Sequence, residues 1–322
     1  MKGEAILNNH YLIIDGHGLL HRTFMGHIKE SPEIVIGMCH HVALTSINYY
    51  FNKVKPNKVV IAFDKGSWRK LYTKDLTKCV TNKPYKGNRR KNLTEEDIKK
   101  FEIFDQHMDE LYEMLKNKTN IITIRREWLE ADDLIAGFIQ SHPDDKHTLI
   151  ASDRDFLQLL TKNNLQIIDP ATDKFLNLDD WDNDPSYFMF SKCIRGDAGD
   201  NVMSSYPRLR QTKIREAFLD PFKRENIMQN EFKSLENIDG EVKEMVYKTR
   251  EVFKENEILM DLEKQPGFIR EAINETINDE IQKQNCFDYI SFLRFCSKNK
   301  LNNILDKAEK FVPMLSGKSV NK

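Results

Sequence analysis

Five short apolar runs rich in Val and Ile constrain the fold most: Tyr11 to Ile14, Lys58 to Phe63, Ile121 to Ile124, Thr148 to Ala151 and Leu165 to Ile168. Each has the length of a buried strand. Helical patterns fill the gaps, at Glu33 to Val54, Thr94 to Lys118, Leu129 to Gln140 and Phe156 to Leu160. The clearest is Thr94 to Lys118, where Thr94 is placed to cap, Asp97 follows three residues on, and Phe101, Phe104, Met108, Leu111, Tyr112 and Leu115 form one stripe. Strand, helix, strand alternation predicts an α/β fold with a mainly parallel central sheet wrapped by helices. Such sheets take ligands at the carboxyl ends of their strands.

Acids fall where those strands end. Asp15 closes YLII, Asp64 closes KVVIAF, Asp153 and Asp155 follow TLIAS, and Glu130, Asp132 and Asp133 open the helix after IITIRR. Asp169 also ends a strand, but it precedes Pro170 and reads as a turn residue. In a parallel sheet the ends share one edge, so at least five carboxylates from four connections converge. Mutual repulsion forbids that without compensation by protons or cations. A site made only of oxygens selects hard ions, Mg²⁺ or Mn²⁺. Asp197 and Asp200, in IRGDAGDNV, are within reach of the same cleft; taken alone, the pair is an ordinary capping loop. His17 and His21 have the i, i+4 spacing of a zinc pair but lack an H-E-x-x-H motif or a third soft ligand. His40 and His41 lie in an apolar helical stretch and read as packing residues.

Beyond about Asp180 the strand signal fades and the chain reads as helical, with pieces at Lys192 to Arg195, Arg208 to Phe218, Glu241 to Glu255 and Phe287 to Phe295. The expected division is an α/β core over 1–180 and a helical region over 181–322, joined by the polar connector LDDWDNDP. The last residues, SGKSVNK, are expected to be disordered or to dock. Five scattered cysteines without a C-x-x-C pair indicate reduced thiols. Neither a secretory segment nor a membrane span is recognisable, and a cytoplasmic protein is expected, in the host cytoplasm if phage-encoded.

The net charge of −1 conceals segregation: residues 65–91 carry ten Lys or Arg against one acid, Asp75, interleaved with Trp68, Tyr72 and Tyr85. A charge run by itself is usually a solvated face. Rings among cations favour a nucleic-acid arm, because rings stack bases and cations follow phosphates. Acids beside such an arm suggest phosphates gathered by the arm and cut at a divalent-metal cleft, with no protein nucleophile; no G-x-S-x-G is present.

In order and spacing, YLIIDGHGLLHR, VVIAFDKGSWRK, PYKGNRRK, TIRREWLEADDLIAGFI, LIASDRDFLQLL and IRGDAGDN resemble the blocks of the flap endonuclease / 5′-3′ exonuclease superfamily, over about residues 11 to 201. The nearest likeness is to its bacteriophage members of the T-even ribonuclease H type. The resemblance implies a PIN-like 5′ nuclease fold and a divalent-metal-dependent 5′-3′ exonuclease and flap endonuclease. Its substrates would be RNA-primed or branched DNA during lagging-strand primer removal. It implies two Mg²⁺ ions, replaceable by Mn²⁺, held by Asp15, Asp64, Glu130, Asp132 and Asp153 and by Asp155, Asp197 and Asp200, some shared. Residues 65–93 become an arch for single-stranded 5′ ends, with Lys86 on the scissile phosphate and Arg69 and Lys83 assisting. Tyr72 and Tyr85 either stack unpaired bases or pack the arm, Arg89, Arg90 and Lys91 hold phosphates, and Asp133 is a supporting acid or helix cap. Cellular members continue with a glycine-rich helix-hairpin-helix that binds K⁺. Here no glycine lies between Gly199 and Gly240, which puts the K⁺ in doubt, and Arg208, Arg210, Lys213 and Arg215 are expected to grip duplex by charge. The implied partners are DNA and RNA–DNA hybrids with 5′ flaps, a single-strand-binding protein and a sliding clamp; a monomer is expected.

Other readings predict different residues. A Toprim-type nuclease leaves Asp15, Asp64 and the arm unexplained, and a haloacid-dehalogenase phosphatase needs D-x-D after its first strand, where this chain has Asp15, Gly16, His17. A non-catalytic binder of branched or single-stranded nucleic acid keeps the arm without needing eight acids.

Overall fold

In a computed structural model the described residues are 9–75, 79–89, 94–160, 164–238, 241–283 and 286–317. The five expected strands form as β1 (His10–Asp15), β2 (Lys58–Ala62), β3 (Ile122–Ile124), β4 (Lys146–Ile150) and β5 (Leu165–Asp169). All pair in parallel, and a short antiparallel β6 (Lys174–Phe175) closes one edge. The order is β3-β2-β1-β4-β5-β6. The chain winds outward from β1 to β3, then returns to the other side of β1, so the strand order reverses between β1 and β4. Crossovers on either side of that point diverge and leave a crevice above the strand ends.

Alternation along β1 sorts the core into two layers. Leu12 and Ile14 face α1 (Gly16–Gly26), α2 (Pro32–Val54) and α4 (Glu95–Lys118), while Tyr11 and Ile13 face α5 (Ala131–Ser141). Helix α4 starts with the expected capping box between Thr94 and Asp97. A short α3 (Trp68–Tyr72) lies between β2 and α4.

After residue 180 come α6 (Pro185–Arg195), α7 (Gln211–Leu219), α8 (Pro221–Met228), β7 (Glu231–Ile238), β8 (Glu241–Lys248), α9 (Thr249–Met260), α10 (Gly267–Gln282), α11 (Tyr289–Lys298), α12 (Asn302–Leu305) and α13 (Val312–Ser316). The connector ends with Asp184 capping α6 and Pro185 at its first turn. Helix α10 returns to the α5 side of the sheet through Ile269, Ile273 and Ile277, and α11 to α13 return to the other side through Phe292, Phe295, Ile304 and Leu315. Both faces of the sheet are thus finished by the end of the chain.

The helix expected over Glu241 to Glu255 is wrong for its first half. Glu241–Lys248 pairs with Glu231–Ile238 as an antiparallel ribbon, and helix begins only at Thr249. Asp239–Gly240 between two extended runs was the available hairpin signal. No described helix is long and apolar enough to cross a membrane. No disulfide links the cysteines: Cys39, Cys193 and Cys296 are buried, Cys79 half-buried and Cys286 exposed.

Candidate active site

The strand ends deliver the acids, and local hydrogen bonds aim them. Asp15 caps α1, its Oδ1 accepting from the Gly18 amide at 2.8 Å. A Cβ on Gly18 would stand 2.1 Å from Asp15 Oδ2, so glycine keeps that carboxylate in place. Asp64 Oδ1 accepts from the Ala131 amide at 2.7 Å, which ties the end of β2 to the start of α5. Glu130 and Asp133 form a reciprocal capping box on α5, with Asp132 in its first turn. Asp153 accepts from the Asp155 amide at 2.8 Å at the head of a 3-10 turn. The Asp197 carboxylate accepts from the Gly199 and Asp200 amides at 2.8 and 3.2 Å. Gly196 before it has φ +67°, and a Cβ there would lie 2.5 Å from the Val202 carbonyl oxygen, so this turn demands glycine.

Asp15, Asp64, Glu130, Asp132, Asp153, Asp155, Asp197 and Asp200 all line one cleft of about 340 Å³, shared with His17, His21, Lys86 and Arg89. Asp197 and Asp200 therefore cap a loop and also face the cleft. Burial, then Asp64 and Asp153, raise the Asp15 carboxyl to about 6. Burial and the neighbours Asp15, Asp153, Asp64 and Glu130 push Asp132 well above the usual carboxylate range. Burial opposes ionisation of Glu130, but Lys86 and Arg69 outweigh it and hold that carboxyl low.

Lysines engage part of the cluster. Lys86 Nζ donates to Glu130 Oε1 at 2.5 Å and lies 3.9 Å from Asp200, at a backbone φ of +55° that favours glycine. Lys192 donates to Asp155 and sits 3.4 Å from Asp197. With those contacts in place, no three described His, Cys, Asp or Glu side chains are gathered closely enough to hold one ion. The donor set still fits hard cations. All eight are carboxylates, and the mutual repulsion at Asp15 and Asp132 is what a divalent ion relieves.

Several of the described residues of the basic segment pack into the fold. Trp68 and Arg69 are buried in α3. Arg69 forks onto Asp133 at 2.8 and 2.9 Å, reaches Glu130 Oε2 at 3.0 Å and donates from Nε to the Leu259 carbonyl at 2.7 Å. It is therefore an internal tie with no face toward a phosphate, contrary to the assistance expected of it there. Asp133 takes the supporting and capping role foreseen for it. Tyr85 is buried and donates its hydroxyl to Asp200 at 2.7 Å, so of the two readings the packing one holds. Tyr72 is half-buried, edge-on to Trp68, and likewise packs. Lys83 is half-buried and does not line the cleft. Arg89 donates to Asp200 at the cleft wall. Arg90 and Lys91 lie outside the described residues.

Helices α6 and α7 flank the Asp197–Asp200 loop. Lys213 pairs with Glu216 at 3.0 Å and Arg215 with Asp182 at 2.6 Å, whereas Arg208 and Arg210 are exposed, with no ion pair among the described residues. The sequence reading missed Lys192. A lone lysine among Tyr187, Phe188, Met189, Phe190, Cys193 and Ile194, all buried, was the signal available for it. His17 and His21, which line the cleft, stack their rings at 5.8 Å, and Phe101 stacks on His21 at 6.2 Å.

A family model for the N-terminal resolvase-like domain of 5′-3′ exonucleases matches residues 10–183. The chain belongs to that family. It is a 5′ nuclease, as the ordered blocks implied. Two solved bacteriophage T5 nuclease structures share the fold. The T5 flap endonuclease, in a pseudo-enzyme–product complex with DNA and metal ions, is 20% identical with a TM-score of 0.60, covering 85% of this chain and 100% of its own. The T5 5′-exonuclease with bound zinc is 21% identical with a TM-score of 0.61, covering 85% and 98%. No curated protein matches.

Proposed function

We propose that this 5′ nuclease is a Mg²⁺-dependent 5′-3′ exonuclease and flap endonuclease that hydrolyses phosphodiester bonds in RNA-primed or branched DNA. The observation that carries this reading is the convergence of eight carboxylates from five separate connections on one cleft that also receives Lys86. Glu130, Asp132, Asp15, Asp64 and Asp153 would hold one ion, and Asp155, Asp197 and Asp200 a second, with Mn²⁺ able to substitute. Bound Mg²⁺ supplies water activation and charge stabilisation at the leaving 3′ oxygen. Lys86 then exchanges Glu130 for the scissile phosphate, where its charge counts most as negative charge builds. The ring ladder of His17, His21 and Phe101 gives bases at the cleft mouth a stacking surface, and Arg208 and Arg210 offer free charge to duplex phosphates.

The test is digestion of end-labelled 5′-flap, nicked duplex and RNA-primed DNA beside an unbranched blunt duplex, with Mg²⁺ present. Cleavage concentrated at the flap junction or 5′ terminus is expected. Binding of flap DNA without any cleavage would instead favour a non-catalytic binder. Within the active protein, Lys86→Ala should lower the single-turnover rate by about two orders of magnitude while Kd rises only a few-fold. A parental rate at saturating enzyme would make Lys86 an ordinary anchoring charge.

A further inference from the structure

Helix α9 buries Val252, Glu255, Asn256 and Leu259, the spacing of an apolar stripe, yet its two central positions are polar. Buried polar groups need partners, and these two reach in different directions. The Glu255 carboxylate accepts from the Val80 amide at 2.8 Å and the Thr81 amide at 3.1 Å, one oxygen for each. Burial raises its carboxyl, and the opposing donors are all supplied by residues 79–81: the two amides and the side chains of Thr81 and Cys79. The Asn256 amide donates to the Cys193 and Met203 carbonyls, both at 2.8 Å, at either end of the loop that carries Asp197 and Asp200.

The two gripped segments are also laced to each other. Lys86 N donates to the Asp200 carbonyl, Asn88 Nδ2 to the Ala198 carbonyl and Asn201 Nδ2 to the Pro84 carbonyl, each at 2.8 Å. Lys86, in the cleft, lies only five residues beyond Thr81.

We propose that Glu255 and Asn256 are positioning residues: the adjacent pair on α9 clasps the basic segment at 79–81 and the Asp197–Asp200 loop, and so sets Lys86 against the acids. This rests on the catalytic reading of Lys86. Lifting the segment strips Glu255 of its donors inside the protein, so residues 79–81 act as the fixed pivot and only the stretch beyond them exchanges partners. A misplacement of about 1 Å at a reacting centre is enough to cost up to a hundred-fold in rate.

The test combines amide exchange on the protein alone with single-turnover kinetics on flap DNA, for Glu255→Ala and the milder Glu255→Gln. Faster exchange is expected at the Val80 and Thr81 amides, with sheet amides such as Ile13 and Leu149 unchanged. The saturated rate should fall about ten- to a hundred-fold in Glu255→Ala and less in Glu255→Gln, with Kd within about three-fold. Added to Lys86→Ala, Glu255→Ala should cost less than about two-fold more, because it acts through Lys86. Unchanged exchange at 80–81 in both variants would overturn the clasp. Faster exchange with a parental rate, or full additivity with Lys86→Ala, would overturn the positioning role. Should Glu255→Ala not fold, Glu255→Gln gives the same readouts. If the parent protein itself does not cut flap DNA, the catalytic reading fails, whereas the exchange result still decides the clasp.

Discussion

Asp132→Asn is expected to lower single-turnover cleavage of flap DNA about a thousand-fold or more, a barrier increase of roughly 4 kcal/mol. The folded protein should meanwhile be at least as stable as its parent when no metal is added. The two effects share one cause. Asp132 lies where burial and the charges of Asp15, Asp153, Asp64 and Glu130 all disfavour its ionised form. An amide of the same shape removes one repelling charge, so the metal-free melting temperature should hold or rise. The same amide supplies a neutral oxygen where a hard cation needs an anionic one, so turnover is lost. Flap affinity should change little, because the free cations at Arg208 and Arg210 lie on the α6–α7 connection rather than among the acids. Melting curves, a binding titration and single-turnover rates check all three, and near-parental cleavage would sink the assignment of Asp132.

Arg69→Ala should have an effect of similar size on a different quantity. The guanidinium and both its carboxylate partners are buried, so truncation leaves Asp133 without its cation and Glu130 with Lys86 alone. Breaking a buried pair in this way costs about 3–5 kcal/mol. The denaturant midpoint should fall at unchanged slope, and the loss of the Leu259 contact should loosen the end of α9. Arg69→Lys should recover only part, since a point charge cannot span the Asp133 fork. Had Arg69 served the phosphate, the same substitution would weaken substrate handling and leave stability alone. That pattern would contradict the internal tie.

These two residues show what the chain makes legible and what it hides. Asp132 could be located because a strand end is a local pattern: a Val- and Ile-rich run, then an acid, repeated in order. Parallel pairing follows from alternation with helices, and the shared edge follows from parallel pairing. Arg69 could not be placed, because its partners lie more than sixty residues further on and nothing in a basic composition tells a buried fork from a solvated one. The same limit left Tyr85 open between stacking and packing, because the Asp200 that takes its hydroxyl lies 115 residues further on. Lys192, Glu255 and Asn256 had a usable signature, a polar residue at a core position of an apolar stripe, and it pointed to side chains that hold other functional groups in place. The ribbon β7–β8 was missed for a different reason: its strands are largely solvent-facing, so they lack the apolar runs that betrayed the central sheet.

The central claim is that oxygen ligands at the strand ends hold the divalent ions that make this nuclease cut. The most direct test is one labelled 5′-flap substrate, incubated with the protein in excess EDTA and then supplied with Mg²⁺ beyond the chelator. The account predicts no product in EDTA, with binding of the flap retained, and prompt cleavage at the junction once Mg²⁺ is restored. Cleavage that proceeds at an undiminished rate in EDTA would contradict it.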